Sequence, residues 1–200
     1  MQDSSDAEDL VKVKELLAGD SRAFEFLFEK YREKVFRIAH RFVRNKEDAL
    51  EVVQDVFLNV HTGIARFKTD SKFFTWLYRI AVNRAIDFTR ARKARSTVEA
   101  DHEVLESQEK PLPGRSTERS PVELAQEREL DEKVALAVQS LSEKHRTVFL
   151  LHASENLSYK EIAEVMKCSV GTVMSRLFYA RKRLQEILGR LGVEPPGRRA

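Results

Sequence analysis

The sequence predicts an all-α protein built as two small helical domains. Two observations carry that prediction. Apolar residues recur at helical spacing in both halves, with no Gly or Pro anywhere from Ser71 to Lys93. Between the halves, Ser96 to Ser120 loses all periodicity and carries Pro111, Pro113 and Gly114. The expected boundaries are residues 1–95 for the first domain, a flexible linker over 96–121, and 122–200 for the second.

Residues 6–18 place Leu10, Val13 and Leu17 on one stripe, and Gly19 stands where a helix stops. From Ser21 to Val43, Phe24, Leu27, Phe28, Tyr31, Val35, Ile38 and Phe42 share one face, the cleanest period in the chain. Residues 46–60 turn Ala49, Val52, Val53, Val56 and Val60 inward and Glu47, Asp48, Glu51, Gln54 and Asp55 outward. That outward face is acidic in a basic protein. It is either a solvated helix face or a docking surface for a basic partner, with Leu58 as an apolar contact at its rim.

A short polar loop, Lys68-Thr69-Asp70, leads to Ser71, a fitting N-cap. In the helix that follows, Phe73, Leu77, Ile80 with Ala81, and Phe88 mark a buried face. The other faces mix aromatics (Phe74, Trp76, Tyr78) with cations (Arg79, Arg84, Arg90, Arg92, Lys93, Arg95). Two readings are open. Aromatic platforms among cations suit single-stranded nucleic acid, where stacking returns roughly 1 to 3 kcal/mol per base. The plainer reading puts the aromatics in a helical core and the cations in water.

The linker is acidic at its start, with Glu99, Asp101, Glu103, Glu106 and Glu109 and no Lys or Arg from Ser96 to Glu109. Pro121 is a good first residue for the next helix, in which Leu130, Val134, Ala137, Val138 and Leu141 form a stripe. Ser142 looks like the cap of a further helix through Val148, Phe149 and Leu151.

Residues 158–183, SYKEIAEVMKCSVGTVMSRLFYARKR, read as a helix-turn-helix. Ser158 and Glu161 make a capping box, Ile162, Ala163 and Met166 face inward, and Cys168 and Val170 pack in and after the turn. Thr172 to Arg183 is the expected recognition helix. Thr172, Ser175, Arg176 and Tyr179 lie on one side and Val173 and Leu177 on the buried one. Hydroxyls and guanidiniums there suit phosphates and base edges.

Composition narrows the function classes. With 200 residues and 42% hydrophobic side chains, neither half buries a large core. Charged residues make up 34%, and the net charge of +3 means that any nucleic-acid surface arises by local clustering. A single cysteine, Cys168, leaves no disulfide framework and no Cys/His set for zinc, and the five His are dispersed. No Gly-rich phosphate loop or carboxylate cluster points to an enzyme, a small-molecule substrate or a cofactor. No apolar run approaches the ~20 residues that cross a bilayer, so a soluble cytoplasmic protein without direct membrane insertion is expected.

The run FFTWLYRIAVNRAIDFTR, residues 73–90, closely resembles the promoter-melting segment of the extracytoplasmic-function group of sigma factors, in the bacterial sigma-70 family. DALEVVQDVFLNV, residues 48–60, resembles the family's core-binding helix, and residues 158–183 its helix for the minus thirty-five element. The resemblance covers about Asp20 to Leu188. It implies a factor that joins core RNA polymerase, through the β′ clamp helices and the β flap, and recognises and melts promoter DNA.

The resemblance assigns core binding to Asp48, Glu51, Gln54, Asp55 and Leu58. It assigns the minus ten element to Phe67, Trp76, Arg79, Ile80, Asn83, Arg84, Asp87 and Arg90. Phe67, Ile80, Asn83 and Asp87 among these match a pocket for a flipped base, and positions 76, 80, 83 and 87 share one stripe. Thr172, Ser175, Arg176, Phe178, Tyr179 and Arg181 fall to the minus thirty-five element. An anti-sigma factor is a further implied partner, and the acidic linker is expected to follow the polymerase's basic RNA path.

Two departures stand out. Lys167 replaces the Gly that relatives usually have in the turn, and Met174 and Tyr179 replace frequent Arg. The alternative is a conventional helix-turn-helix regulator that binds duplex DNA without polymerase, and it accounts for residues 158–183 alone.

Overall fold

In a computed structural model of the chain, which describes residues 2–68, 71–98 and 121–193, regular structure is helical and no strand occurs among those residues. The helices are α1 (Gln2–Leu17), α2 (Ser21–Val43), α3 (Lys46–Gly63), α4 (Phe73–Val98), α5 (Pro121–Gln139), α6 (Glu143–Glu155), α7 (Tyr159–Met166) and α8 (Val170–Arg190). A 3-10 turn, Ile64–Arg66, follows α3. The chain divides into two compact units, one holding α1–α4, the other holding α5, α6, α8 and most of α7. Most of the expected linker, residues 99–120, lies outside the described residues.

In the first unit, α2 is the central helix, as its period requires. Leu27, Tyr31, Val35, Ile38 and Phe42 are buried, while Phe24 and Phe28 are half-buried against Phe57 of α3, the closer ring pair at 4.7 Å. Side-chain caps set the helix starts. Asp20 accepts from the Arg22 amide at 2.9 Å, and Asn45 accepts from the Asp48 amide at 2.9 Å. Helix α1 ends at Gly19 with φ 96°, where the Asp20 amide donates to the Glu15 carbonyl and the Gly19 amide to that of Leu16. That is a Schellman closure, which glycine permits without Cβ strain.

The α1 stripe differs from its expected form. Val13 is buried, but Leu10 is half-buried and Leu17 is exposed. A buried carboxylate takes their place: Asp9, 1% exposed, accepts from the Tyr31 hydroxyl and pairs with Lys30 Nζ at 2.7 Å. Asp6 reaches Lys72, just before α4, at 2.8 Å. Charge pairing, rather than apolar area alone, ties α1 to the bundle.

Helix α4 begins at Phe73, and the Trp76 amide donates to the Lys72 carbonyl at 3.2 Å, so Lys72 rather than Ser71 flanks its start. Residues 73 to 78 are all buried, including Phe74, Trp76 and Tyr78. In the chain by itself those three aromatics take the core positions of the plainer reading. Helices α1, α2 and α3 all pack against α4, leaving its first turns no open face.

In the second unit, Ala137, Leu141, Val148, Leu151, Ile162, Val173, Leu177, Ala180 and Leu184 are buried. Leu130 and Val134 of the expected α5 stripe are exposed, since the core shared with α8 is reached only at the end of α5, by Ala137 and Val138, and just beyond it by Leu141. Ser142 holds the cap position of α6, but its hydroxyl meets His145 Nδ1 at 3.0 Å and bonds no helix amide.

The Asp9–Tyr31–Lys30 cluster gives a pH signature. Burial, then the bond to Asp9, pushes the Tyr31 phenol far above its usual range. Burial pulls the Lys30 ammonium down, but bonds to Asp9 and Glu8 outweigh it and hold it high. Both native values exceed the unfolded ones, about 10 for each group, so the stabilisation is complete below that pH and lost as pH rises through it. Tyr31→Phe should cost about 2 kcal/mol near neutrality and flatten the loss of melting temperature above pH 10, as followed by circular dichroism.

Candidate nucleic-acid interface

Three surfaces carry the residues singled out above. The first runs along α4. The 3-10 turn delivers Phe67 to its start, where the Phe67 ring lies 5.5 Å from Trp76 and 5.9 Å from Phe73. Phe67 and Trp76 are 7% and 8% exposed, so each is packed by the other rather than open to a base. Farther along the same stripe, Ile80 is half-buried and Asn83 and Asp87 are exposed. The stripe thus grades from a closed aromatic base to an apolar step and then a polar rim. Arg79 and Arg84 are half-buried and Arg90 is exposed, 3.8 Å from Asp87.

The second surface is the outer face of α3. Glu51 and Gln54 are exposed, Asp48 and Asp55 half-buried, and Leu58 is 63% exposed. Leu50, which the sequence reading did not single out, adds a second exposed apolar side chain. Asp55 pairs with Arg84, and Asp48 with Arg92 at 2.5 Å. The acidic face and the basic helix therefore neutralise each other in part. Helical spacing within one segment carries no signal of such pairs, because they depend on how α3 and α4 cross.

The third surface belongs to α7 and α8. The capping box forms as expected: Ser158 donates from its amide to Glu161 Oε2 at 2.9 Å, and the Glu161 amide donates to the Ser158 hydroxyl at 3.3 Å. The turn closes as a Schellman motif, with the Cys168 amide donating to the Ala163 carbonyl at 3.0 Å and Lys167 at φ 49°. Lys167 does adopt the left-handed backbone that glycine would take, at a cost of roughly 1 kcal/mol. Val170 is exposed at the start of α8 rather than packed in the turn, because Ser169 caps the helix and Val173 takes the buried position.

On α8 the expected residues separate by role. The Thr172 hydroxyl meets that of Ser169 at 2.8 Å, and Ser175 donates to the Thr172 carbonyl at 3.0 Å, so both hydroxyls serve the helix's own first turns. Arg176 folds back, its Nη1 3.9 Å from Cys168 Sγ. Phe178 and Tyr179, 64% and 57% exposed, stand out with Arg181. A cleft of about 400 Å³ lies beside them, lined by Tyr159, Met174, Phe178, Arg181 and Lys182 among others. Its walls are apolar and aromatic and its rim is cationic.

No group of three or more His, Cys, Asp or Glu side chains among the described residues is placed to hold a metal ion. No described helix is long and apolar enough to cross a membrane. What the three surfaces offer is charge, stacking area and hydrogen-bonding edges.

Comparison with known proteins agrees in detail. The sigma-70 region 2 family matches residues 27–95, and the sigma-70 region 4 family matches residues 131–184. The chain is 38% identical over 185 residues to the RNA polymerase sigma-H factor of Pseudomonas aeruginosa, covering 90% of this chain and 94% of that one. It is 37% identical over 180 residues to the ECF RNA polymerase sigma-E factor of Escherichia coli, covering 90% and 93%. The structure of CnrH in complex with the cytosolic domain of CnrY is similar at 25% identity and a TM-score of 0.66, over 92% of this chain and 98% of that one. A conventional regulator would match α7 and α8 alone; with α2 to α4 matched as well, the chain belongs to the extracytoplasmic-function sigma factors of the sigma-70 family.

Proposed function

We propose that this sigma factor docks on core RNA polymerase through the outer face of α3, captures an unpaired minus ten base along α4, and holds the minus thirty-five element with α8. The observation that carries this reading is the graded α4 stripe, from buried Trp76 through half-buried Ile80 to exposed Asn83 and Asp87, beside an acidic face with an exposed Leu58. A primary amide offers a donor and an acceptor side by side, which matches the Watson–Crick edge of an extruded base. Leu58 and Leu50 among carboxylates suit a basic, partly apolar helical partner, which fits the β′ clamp helices.

On α8, Phe178, Tyr179 and Arg181 take over from Thr172, Ser175 and Arg176 as the main contacts, since the latter three are engaged within their own unit. The protein works by binding and not by covalent catalysis, and it acts in the cytoplasm where polymerase and promoter are found. A protein that holds the chain silent is a further partner in this reading, by likeness to CnrH, which was captured with the cytosolic domain of CnrY. The stretch between the end of α4 at Val98 and the start of α5 at Pro121 serves as the tether between the two DNA-binding units.

Asn83→Ala should slow open-complex formation on a 2-aminopurine-labelled promoter at least tenfold and leave co-purification with core polymerase intact. Equal loss of both would reject a base-reading role. Glu51→Arg with Leu58→Asp, both on exposed positions, should abolish co-purification while the melting temperature stays within a few degrees; undiminished binding would rule out docking through α3.

A further inference from the structure

Two ion pairs join the acidic face of α3 to the basic helix α4, and the one between Asp55 and Arg84 links groups that the proposed function uses for opposite partners. Asp48 and Asp55 face core polymerase in that reading, and Arg84 faces promoter DNA. Asp48 and Asp55 are seven residues apart on α3, about 10 Å along the axis; Arg84 and Arg92 are eight apart on α4, about 12 Å. Asp55 meets Arg84 and Asp48 meets Arg92, so the two helices run antiparallel here and both bridges close at once.

We propose that these bridges withhold Arg84 and Arg92 from nucleic-acid phosphate in the free chain, and that a basic surface engaging the α3 carboxylates hands both guanidiniums to DNA. The masking half stands on the geometry alone; the hand-over half rests on the docking reading of α3. The bridges are suited to exchange. Their side chains keep between 25% and 46% of their exposure, so water, salt and other charges reach them. A guanidinium binds phosphate with the same forked geometry that it offers a carboxylate, so DNA can replace Asp48 and Asp55 without rearranging the helix. Once Lys or Arg side chains of a partner neutralise the two carboxylates, the α4 cations lose their local counter-charges and attract the phosphate backbone. Docking and strand capture become coupled through four side chains, with no movement of the backbone required.

The test uses the purified full chain, without polymerase, and a fluorescein-labelled single-stranded oligonucleotide of mixed sequence titrated across a salt series. Asp48→Asn with Asp55→Asn should steepen the slope of log affinity against log salt by about 1.4, two phosphates at about 0.7 each. Adding Arg84→Gln and Arg92→Gln should remove that gain. Glu25→Gln with Glu33→Gln, which changes net charge equally on α2, should leave the slope nearly as it is; equal steepening by this control, or no steepening by the Asp variant, overturns the masking. If the double variant melts below the parent, Asp48→Asn and Asp55→Asn singly, each expected to add about 0.7, decide the matter. In the holoenzyme, Arg84→Gln with Arg92→Gln should flatten the slope by about 1.4, and an unchanged slope there overturns the hand-over. Loss of docking itself is read separately, by the Glu51 and Leu58 variant.

Discussion

Phe73, Phe74, Thr75, Trp76, Leu77 and Tyr78 are six consecutive residues with 9% exposure or less, and their burial sets the direction in which the rest of α4 leaves the bundle. Each large side chain among them contributes roughly 1.5 to 3 kcal/mol by leaving water. Side chains farther along the same rigid helix inherit that placement, since a helix transmits orientation at a fixed rotation per residue. Asn83 and Asp87 are therefore held at defined positions by the helix itself, with the Arg90–Asp87 pair at 3.8 Å adding little at so exposed a site. Asp6, Asp9 and the α1 helix extend the same logic, because the Asp6–Lys72 pair pins the entry to α4 from outside.

The burial also decides what kind of base capture is open to this chain. Phe67 and Trp76 already spend their ring faces on each other and on Phe73. Along the stripe, in the proposed reading, a base meets one aliphatic surface, Ile80, and then an amide. In the proposed reading, selectivity comes from hydrogen bonds at the base edge, with stacking as the smaller part. The energy for opening the duplex is then shared with phosphate contacts from α4 and with docking elsewhere, which fits an opening step of a few kcal/mol that uses no nucleotide hydrolysis.

Much of this architecture was legible from spacing. The bounds of α2 follow from its period, α3 divides its faces as its residues require, and Ser158 and Glu161 announce the start of α7 through their capping pattern. The failures have one physical source: the pattern of one helix does not say how many neighbours surround it. Phe74, Trp76 and Tyr78 lie off the apolar stripe but are buried, because three helices enclose that end of α4. Leu130 and Val134 lie on the stripe but are exposed, because α8 meets only the end of α5. Cross-helix pairs such as Asp9–Tyr31, Asp48–Arg92 and Asp55–Arg84 require the fold itself. On α8, the approach of the Arg176 guanidinium to within 3.9 Å of Cys168 Sγ likewise depends on how the turn folds.

The proposed function divides α4 between a buried half that holds position and an exposed half that takes a strand. Its most direct test is permanganate reactivity of thymines across a promoter that this chain recognises, with core polymerase present. Reactive thymines confined to the minus ten region, absent with core enzyme alone and lost when residues 67–95 are exchanged for those of a sigma factor with a different minus ten preference, are the expected result. Thymines that stay unreactive with both proteins present, or react regardless of that exchange, would contradict it.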